Sequence, residues 1–204
     1  PQAIFHIKTN EKLIALTIDD SPDSVTTSGI LNILSKYDSK ATFFIITNNI
    51  IGNESVVSRI VQEGHEIGNH MTTDEPSYLL SRTEFERKFD KADSILSDYY
   101  EVRWFRPGSG LITKSMINIL NAKEKQYLCA LGSVYPLDTI IPSSSFASFY
   151  INQNVRPGSI IILHDLGERG KRTITTLINI LPKLKSNGYK IVTLSELNSS
   201  KRYH

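Results

Sequence analysis

The sequence contains a single cysteine among its 204 residues. One cysteine excludes an intramolecular disulfide, and with it the small folds that depend on disulfide bonds. Cys129 lies in the apolar segment YLCAL, a setting typical of a small buried hydrophobic residue. We therefore predict that Cys129 packs in the core and is not a nucleophile.

Long hydrophobic runs and an excess of one charge are also absent. The net charge is only +2, with scattered lysines and arginines, so the basic surface that nucleic-acid binding requires is not expected. No apolar run approaches the length of a membrane span. The densest basic segment, ERGKR at 168–172, is predicted to be the solvated start of a helix. The chain begins at Pro1 without a recognisable signal peptide, which fits a targeting segment that has been removed.

Short apolar segments alternate with helical patterns along the chain, which is typical of a parallel sheet covered on both faces by helices. The predicted strands are 13–19, 40–47, 65–69, 102–106, 126–132, 159–164 and 189–194. The predicted helices are 25–37, 53–63, 81–97, 113–122, 143–155 and 171–186. Ser81 and Glu84 form a capping-box signature for the third helix. About seven such units fit a βα barrel or a doubly wound sheet, and no linker divides the chain, so we predict one α/β domain over 1–204.

Residues able to carry chemistry follow the predicted strands. Parallel α/β folds place their sites at the carboxyl ends of strands, where the loops converge. The residues at these ends are Asp19-Asp20, Asn69-His70, Arg106 to Gly110, Ser133 to Asp138 and His164-Asp165. Any one of them has an ordinary structural interpretation, such as a turn aspartate or a buried imidazole. Together they predict a catalytic cavity.

The segment HEIGNHMTTDEP at 65–76 is not the zinc motif that its first histidine suggests. An H-E-x-x-H motif places two histidines one helical turn apart, but Asn69 stands four residues beyond His65, and Gly68 disfavours a helix. His65 is therefore predicted to be structural.

Four motifs resemble those of the polysaccharide deacetylase family, the NodB-homology domain of carbohydrate esterase family 4. They are TIDDSPD, GHEIGNHMTTDEP, FRPGSG and IIILHD, in this order, and the resemblance extends over about 13–197. It implies a distorted (β/α) barrel and metal-dependent hydrolysis of N-acetyl or O-acetyl groups on glycans such as chitin, peptidoglycan or xylan. It also implies an acetylated glycan as the partner and a secreted or cell-envelope location.

The resemblance assigns roles position by position. Asp19 matches the catalytic base, Asp20 the metal-binding aspartate and His70 the first metal histidine. Arg106 matches the arginine that holds the base, and His164 matches the general acid. A backbone N–H in the Gly108-Ser109 turn would stabilise the oxyanion. Asp138 is a further candidate for orienting His164, although a turn residue after Pro136 is an equally good interpretation.

Asp74 stands where the family usually has its second metal histidine. It lies four residues after His70, a spacing that places two side chains on one side of a helical turn, so we predict a metal ligand; the alternative is that it caps the turn before Pro76. With Asp, His and Asp as ligands, the net charge of a divalent metal and its ligands would be near zero. Such a site would favour metal ions that prefer oxygen ligands. Zinc is the first expectation, with cobalt, manganese and iron as alternatives.

Ser109 stands where the family's third motif usually has tyrosine, so an aromatic wall of the sugar site is missing at that position. The altered pocket leaves two other functions open. One is hydrolysis of a small non-sugar amide, and the other is carbohydrate binding without turnover.

Overall fold

The computed structural model describes residues 3–200. Its strands are β1 (Ala3–Ile4), β2 (Leu13–Ser21), β3 (Thr42–Ile45), β4 (Glu66–Asn69), β5 (Trp104–Phe105), β6 (Leu128–Ala130), β7 (Ile160–His164) and β8 (Lys190–Val192). Its α-helices are α1 (Thr26–Lys36), α2 (Glu54–Gln62), α3 (Arg82–Ser97), α4 (Lys114–Ala122), α5 (Ser144–Asn154), α6 (Gly167–Ser186) and α7 (Leu194–Ser199).

The strands form one parallel sheet in the order β1-β6-β5-β4-β3-β2-β7, and β8 pairs with the first half of β2. The sheet closes on itself, because Val134, just beyond β6, forms a parallel bridge with Ile161 of β7. The N–H of Ser133 donates to the carbonyl of Ile160, and the N–H of Ile162 donates to that of Val134. The single-domain α/β fold is thus a distorted barrel rather than an open, doubly wound sheet.

The central strand β2 is buried along its whole length. Its apolar residues make it a strand covered on both faces, as the continuous hydrophobic run predicts. The capping box that begins α3 is confirmed: the Ser81 hydroxyl accepts from the Glu84 N–H, and the Glu84 carboxylate accepts from the Ser81 N–H. Helix α3 packs its buried face, Phe85, Phe89, Ala92 and Leu96, against the core.

Three features differ from the sequence-based expectations. The two-residue β1 and the terminal α7 were not predicted, since both are too short to carry a periodic pattern. Helix α6 begins at Gly167 rather than Lys171, because Leu166 and Gly167 turn the chain through positive φ values of 73° and 54°. The ERGKR segment therefore lies in the first turns of α6, directly above the end of β7.

Cys129 is fully buried, and burial raises the pKa of its thiol to about 12. The predicted core role is confirmed, since a neutral buried thiol is a poor nucleophile. Among the helices of residues 3–200, none is both long and apolar enough to cross a membrane.

Candidate active site

A cavity of about 410 Å³ opens at the carboxyl ends of the strands. The polar residues that line it include Asp19, Asp20, His70, Asp74, Arg106, Ser109, His164 and Arg169. Strand register brings them together. In the β2–β7 pair Asp19 is the partner of His164, and in the β4–β5 pair Asn69 is the partner of Phe105, which places His70 beside Arg106.

Two adjacent carboxylates reach the cavity from one strand because β2 is irregular at its end. The register with β3 shifts between Ile18 and Ser21, and Asp20 has a positive φ of 68°. Successive side chains of a regular strand point to opposite faces, so this bulge allows both Asp19 and Asp20 to face the cavity. The amide of Asn49 donates to the carbonyl of Asp20 at 3.1 Å and holds the turned backbone.

Arg106 is the centre of a buried network. Its Nη1 donates to Asp19 Oδ1 at 2.6 Å and to Thr17 Oγ1 at 2.8 Å, and its Nε donates to the Ala130 carbonyl at 2.8 Å. The guanidinium lies 4.2 Å from the centre of the Phe44 ring. Asp19 is therefore fixed in one orientation, with its Oδ2 directed toward His164 at 4.0 Å.

His70 and Asp20 have the geometry of two metal ligands. A carbonyl oxygen only accepts, so His70 Nδ1 donates to the Arg106 carbonyl at 2.8 Å. In the neutral ring this leaves a lone pair on Nε2, which lies 3.6 Å from Asp20 Oδ1; such a bond on the far nitrogen is typical of metal-binding histidines. These two residues fit a divalent cation.

Charges within this pair shift both pKa values. Burial opposes ionisation of Asp20, but the bond to His70 and the charges of His70, His164 and Arg169 outweigh it and hold the pKa of Asp20 below its usual value. Burial likewise lowers the pKa of His70, but the Asp20 bond and the nearby carboxylates outweigh it, so that pKa is raised.

Asp74 lines the same cavity, but its side chain is 61% exposed. Within residues 3–200, no group of three His, Cys, Asp or Glu side chains is close enough to hold a metal. Asp74 instead faces Arg169, whose Nη2 lies 3.9 Å from Asp74 Oδ2 and whose Nη1 lies 2.9 Å from Asp20 Oδ2. Ligation by Asp74 stays a prediction.

Arg169 was missed by the sequence analysis, which assigned its segment to solvent. The signal that could have found it is its position, five residues beyond His164, in the helix that begins above a strand end rich in acids.

His164 is paired with Asp138 through two hydrogen bonds. The main-chain N–H of His164 donates to Asp138 Oδ2, and Nδ1 contacts Oδ1, both at 2.9 Å. Burial lowers the pKa of His164, but Asp138 and the charges of Asp19 and Asp20 outweigh it, so that pKa is raised. The ring can therefore hold a proton, with Nε2 directed into the cavity.

Only one of the two residues in the Gly108-Ser109 turn can donate its N–H to an oxyanion, as predicted for this turn. The N–H of Gly108 donates to Ser77 Oγ at 2.9 Å, so it is not free to bind an oxyanion, and this half of the prediction is wrong. A side chain at position 108 would meet the Glu75 carbonyl at 2.1 Å, so glycine serves close packing there. Ser109, held at φ 65°, is the residue of the turn that lines the cavity.

His65 is structural, as predicted. It lies outside the cavity, where its Nδ1 accepts from the Ala41 N–H at 3.1 Å and its ring contacts Phe43 edge-on. Burial and the charges of Lys40 and Arg59 lower its pKa to about 4.

The low pKa of His65 predicts a loss of stability in acid. The unfolded chain takes up this proton near pH 6.5 and the folded one only near pH 4, so the free energy of unfolding falls as the pH falls through this window. The contribution is about 3 kcal/mol at 1.36 kcal/mol per pH unit. His65→Asn keeps an acceptor but does not titrate. Urea unfolding at a series of pH values should show a steeper acid loss for the parent protein, and parallel curves would contradict the prediction.

The fold and site define a hydrolase of the parallel α/β barrel class, with a carboxylate held by arginine, a histidine held by aspartate and, between them, the Asp20–His70 pair that fits a divalent cation. The chain belongs to the polysaccharide deacetylase family, whose model matches residues 6–128. The resemblance drawn from four motifs is thereby confirmed, and with it the class of activity, metal-dependent deacetylation of glycans.

Relatives of known structure or function support this assignment. A peptidoglycan-N-acetylglucosamine deacetylase of Bacillus cereus is 34% identical, with 95% of this chain and 91% of the relative covered. An acetyl xylan esterase of Clostridium thermocellum with a cobalt ion is 31% identical, with a TM-score of 0.84 over 92% of this chain and 90% of that one. A family 4 pseudoenzyme of Bacillus anthracis is 28% identical, with a TM-score of 0.86 over 100% of this chain and 71% of that one. Other curated relatives are longer, and this chain spans as little as 31% of their length.

Proposed function

We propose that this chain removes the N-acetyl group from N-acetylglucosamine units of a peptidoglycan-type glycan. The observation that carries the proposal is the arrangement of two buried pairs across one cavity. Arg106 with Asp19 and Asp138 with His164 face each other beside Asp20 and His70, with 4.0 Å between His164 Nε2 and Asp19 Oδ2. The similarity to the Bacillus cereus enzyme supports the substrate class.

The residues of the chain divide the proton transfers between them. Asp19, oriented by Arg106, takes a proton from the water that attacks the acetyl carbonyl carbon. His164 gives the proton on Nε2 to the departing amine as the carbon–nitrogen bond breaks, and Asp138 holds the ring in the orientation this requires. A divalent metal on Asp20 and His70 would polarise the carbonyl oxygen. The N–H of Ser109, a residue that lines the cavity, would support the same oxygen. Zinc is the metal proposed first, with cobalt, manganese and iron as alternatives.

Aromatic side chains support a sugar substrate. Phe5, 54% exposed, and Tyr135 both line the cavity, and the Tyr135 ring lies 5.9 Å from that of His164. These rings provide apolar surface of the kind that packs against sugars, although position 109 carries no tyrosine. Phe5 was not among the candidates found in the sequence.

The test is acetate release by the purified chain after chelator treatment and reloading with zinc, cobalt, manganese or iron(II). The substrates are N-acetylglucosamine oligomers, peptidoglycan strands, acetylated xylan and a small acetamide. We expect turnover on the N-acetylated glycans that chelator abolishes and metal restores. Preference for the acetamide would favour the amidohydrolase alternative. No turnover by the metal-loaded chain, with glycan still bound, would favour a binding protein.

A further inference from the structure

An arginine lies at the proposed metal site. The Arg169 guanidinium contacts Asp20 Oδ2 at 2.9 Å through one amino group, and its other amino group lies 3.9 Å from Asp74 Oδ2. Asp20 Oδ1 meanwhile faces His70 Nε2 at 3.6 Å. One oxygen of the Asp20 carboxylate therefore faces the proposed metal position, and the other contacts the Arg169 guanidinium.

The backbone at Arg169 is fixed, so only its side chain can move. At the adjacent Gly170, an added Cβ would lie 2.5 Å from Thr26 Cβ and 2.6 Å from Asp165 Oδ1, which shows how closely α6 packs against α1 and the end of β7. The N–H of Gly167 donates to Asp23 Oδ2 at 3.2 Å. The Arg169 side chain is 29% exposed, which leaves room for the guanidinium to turn outward.

The two acids that Arg169 faces differ in their surroundings. The Asp20 side chain is 4% exposed and that of Asp74 is 61% exposed. Arginine keeps its charge at all working pH values, so a divalent cation arriving at Asp20 and His70 is repelled by the guanidinium and competes with it for Asp20. Asp74 offers the displaced guanidinium an acceptor at the edge of the same cavity.

We propose that Arg169 competes with the divalent metal for Asp20, and that Asp74 assists metal binding by drawing the guanidinium away rather than by ligating the metal. This rests on the metal of the proposed function. Arg169 is thus a positioning residue, and the Asp at position 74 is the counter-ion of an arginine. The alternative, a ligand at Asp74, is the expectation from its spacing to His70.

The two roles of Asp74 predict different results in a double-mutant cycle. Zinc and manganese affinities are measured by calorimetry, without substrate, for the parent chain, Arg169→Gln, Asp74→Asn and the double variant. Arg169→Gln should bind metal about 10- to 100-fold more tightly, the effect of removing one unit charge a few ångströms away at a partly exposed site. Asp74→Asn should weaken binding in the parent chain but change it by less than about threefold when Arg169 is already Gln.

Lys171→Gln is the matched control, since it removes the same charge two residues away on the exposed face of α6, where Lys171 pairs with Glu168. Its metal affinity should equal that of the parent. If Asp74→Asn weakens binding equally in both backgrounds, Asp74 is a ligand and the inference is overturned. Unchanged affinity in Arg169→Gln, or no binding by any variant, also overturns it. Acetate release reports separately on the proposed function: turnover that chelator abolishes and metal restores would support it even if the affinities overturn the roles given to Arg169 and Asp74, and no such turnover would overturn it whatever the affinities are.

Discussion

Replacing Asp19 by Asn should lower kcat for deacetylation by about 10²- to 10⁴-fold, the usual contribution of a positioned general base. The amide has the same shape and still accepts the hydrogen bond from Arg106 Nη1, now made at 2.6 Å to Asp19 Oδ1. It cannot take a proton from the attacking water. Since the proposed metal ligands are Asp20 and His70, metal affinity should change far less than kcat. Initial rates of acetate release, together with calorimetric metal affinity, measure both quantities.

Asp93→Asn is the control for this change. It removes a carboxylate that pairs with Lys125 at 3.1 Å on the outside of the barrel, so its kcat should equal that of the parent. Asp93→Asn should unfold at the urea concentration of the parent, whereas Asp19→Asn leaves the buried Arg106 charge without its carboxylate and should unfold at a lower one. Rates are therefore compared under conditions in which urea unfolding shows both variants to be folded. An Asp19→Asn variant with full activity would show that the base is another group and would refute the proposed division of proton transfers.

Replacing Arg106 by Met should lower the free energy of unfolding by about 3–5 kcal/mol, the range for breaking one partner out of a buried ion pair. The guanidinium is 2% exposed and the Asp19 carboxylate 5%, so Asp19 would be left as an uncompensated buried charge. Thr17 Oγ1 and the Ala130 carbonyl would also lose a donor. Urea unfolding measures this loss.

A second substitution tests whether Arg106→Met loses stability because of the broken ion pair or because of a packing defect. Asp19→Asn in the Arg106→Met chain removes the stranded charge, so the double variant should be more stable than Arg106→Met alone. Arg103→Met is the control, because that arginine pairs with Glu101 on the surface, with side chains 64% and 69% exposed; such pairs contribute about 0–1 kcal/mol. A double variant no more stable than Arg106→Met would show that the pair is not the source of the loss.

Much of the fold could be predicted because its strands and helices carry strong periodic patterns. All seven predicted strands are present, since β-branched and aromatic residues are concentrated in them. Short elements such as β1 (Ala3–Ile4) and α7 (Leu194–Ser199) form from tertiary contacts and leave no comparable signal. The start of α6 was placed too late because the turn at Leu166 and Gly167 depends on positive φ values that leucine seldom adopts.

The sequence predicted which residues lie at the strand ends that form the candidate site. It did not predict which of their side chains contact one another. Asp19, Asp20, His70, Arg106 and His164 could be found because parallel strands deliver their carboxyl ends to one edge. The oxyanion was assigned to a backbone N–H in the Gly108-Ser109 turn, but the N–H of Gly108 donates to Ser77 Oγ. This bond joins two loops that are distant in the sequence, and no local pattern encodes it.

The sequence by itself determined that this protein is a parallel α/β domain with acids and histidines at its strand ends, because hydrophobic periodicity and motif order are local properties of the chain. The resemblance implied a barrel, and the bridge between Val134 and Ile161 closes it. Only the tertiary structure decided which groups are partners: Asp138 with His164, and Arg169 with Asp20. The first pair joins the loop after β6 to the end of β7, and the second joins the start of α6 to the end of β2. Their distances depend on packing between segments far apart in the chain, and a few ångströms decide whether an arginine lies in solvent or beside a proposed metal ligand.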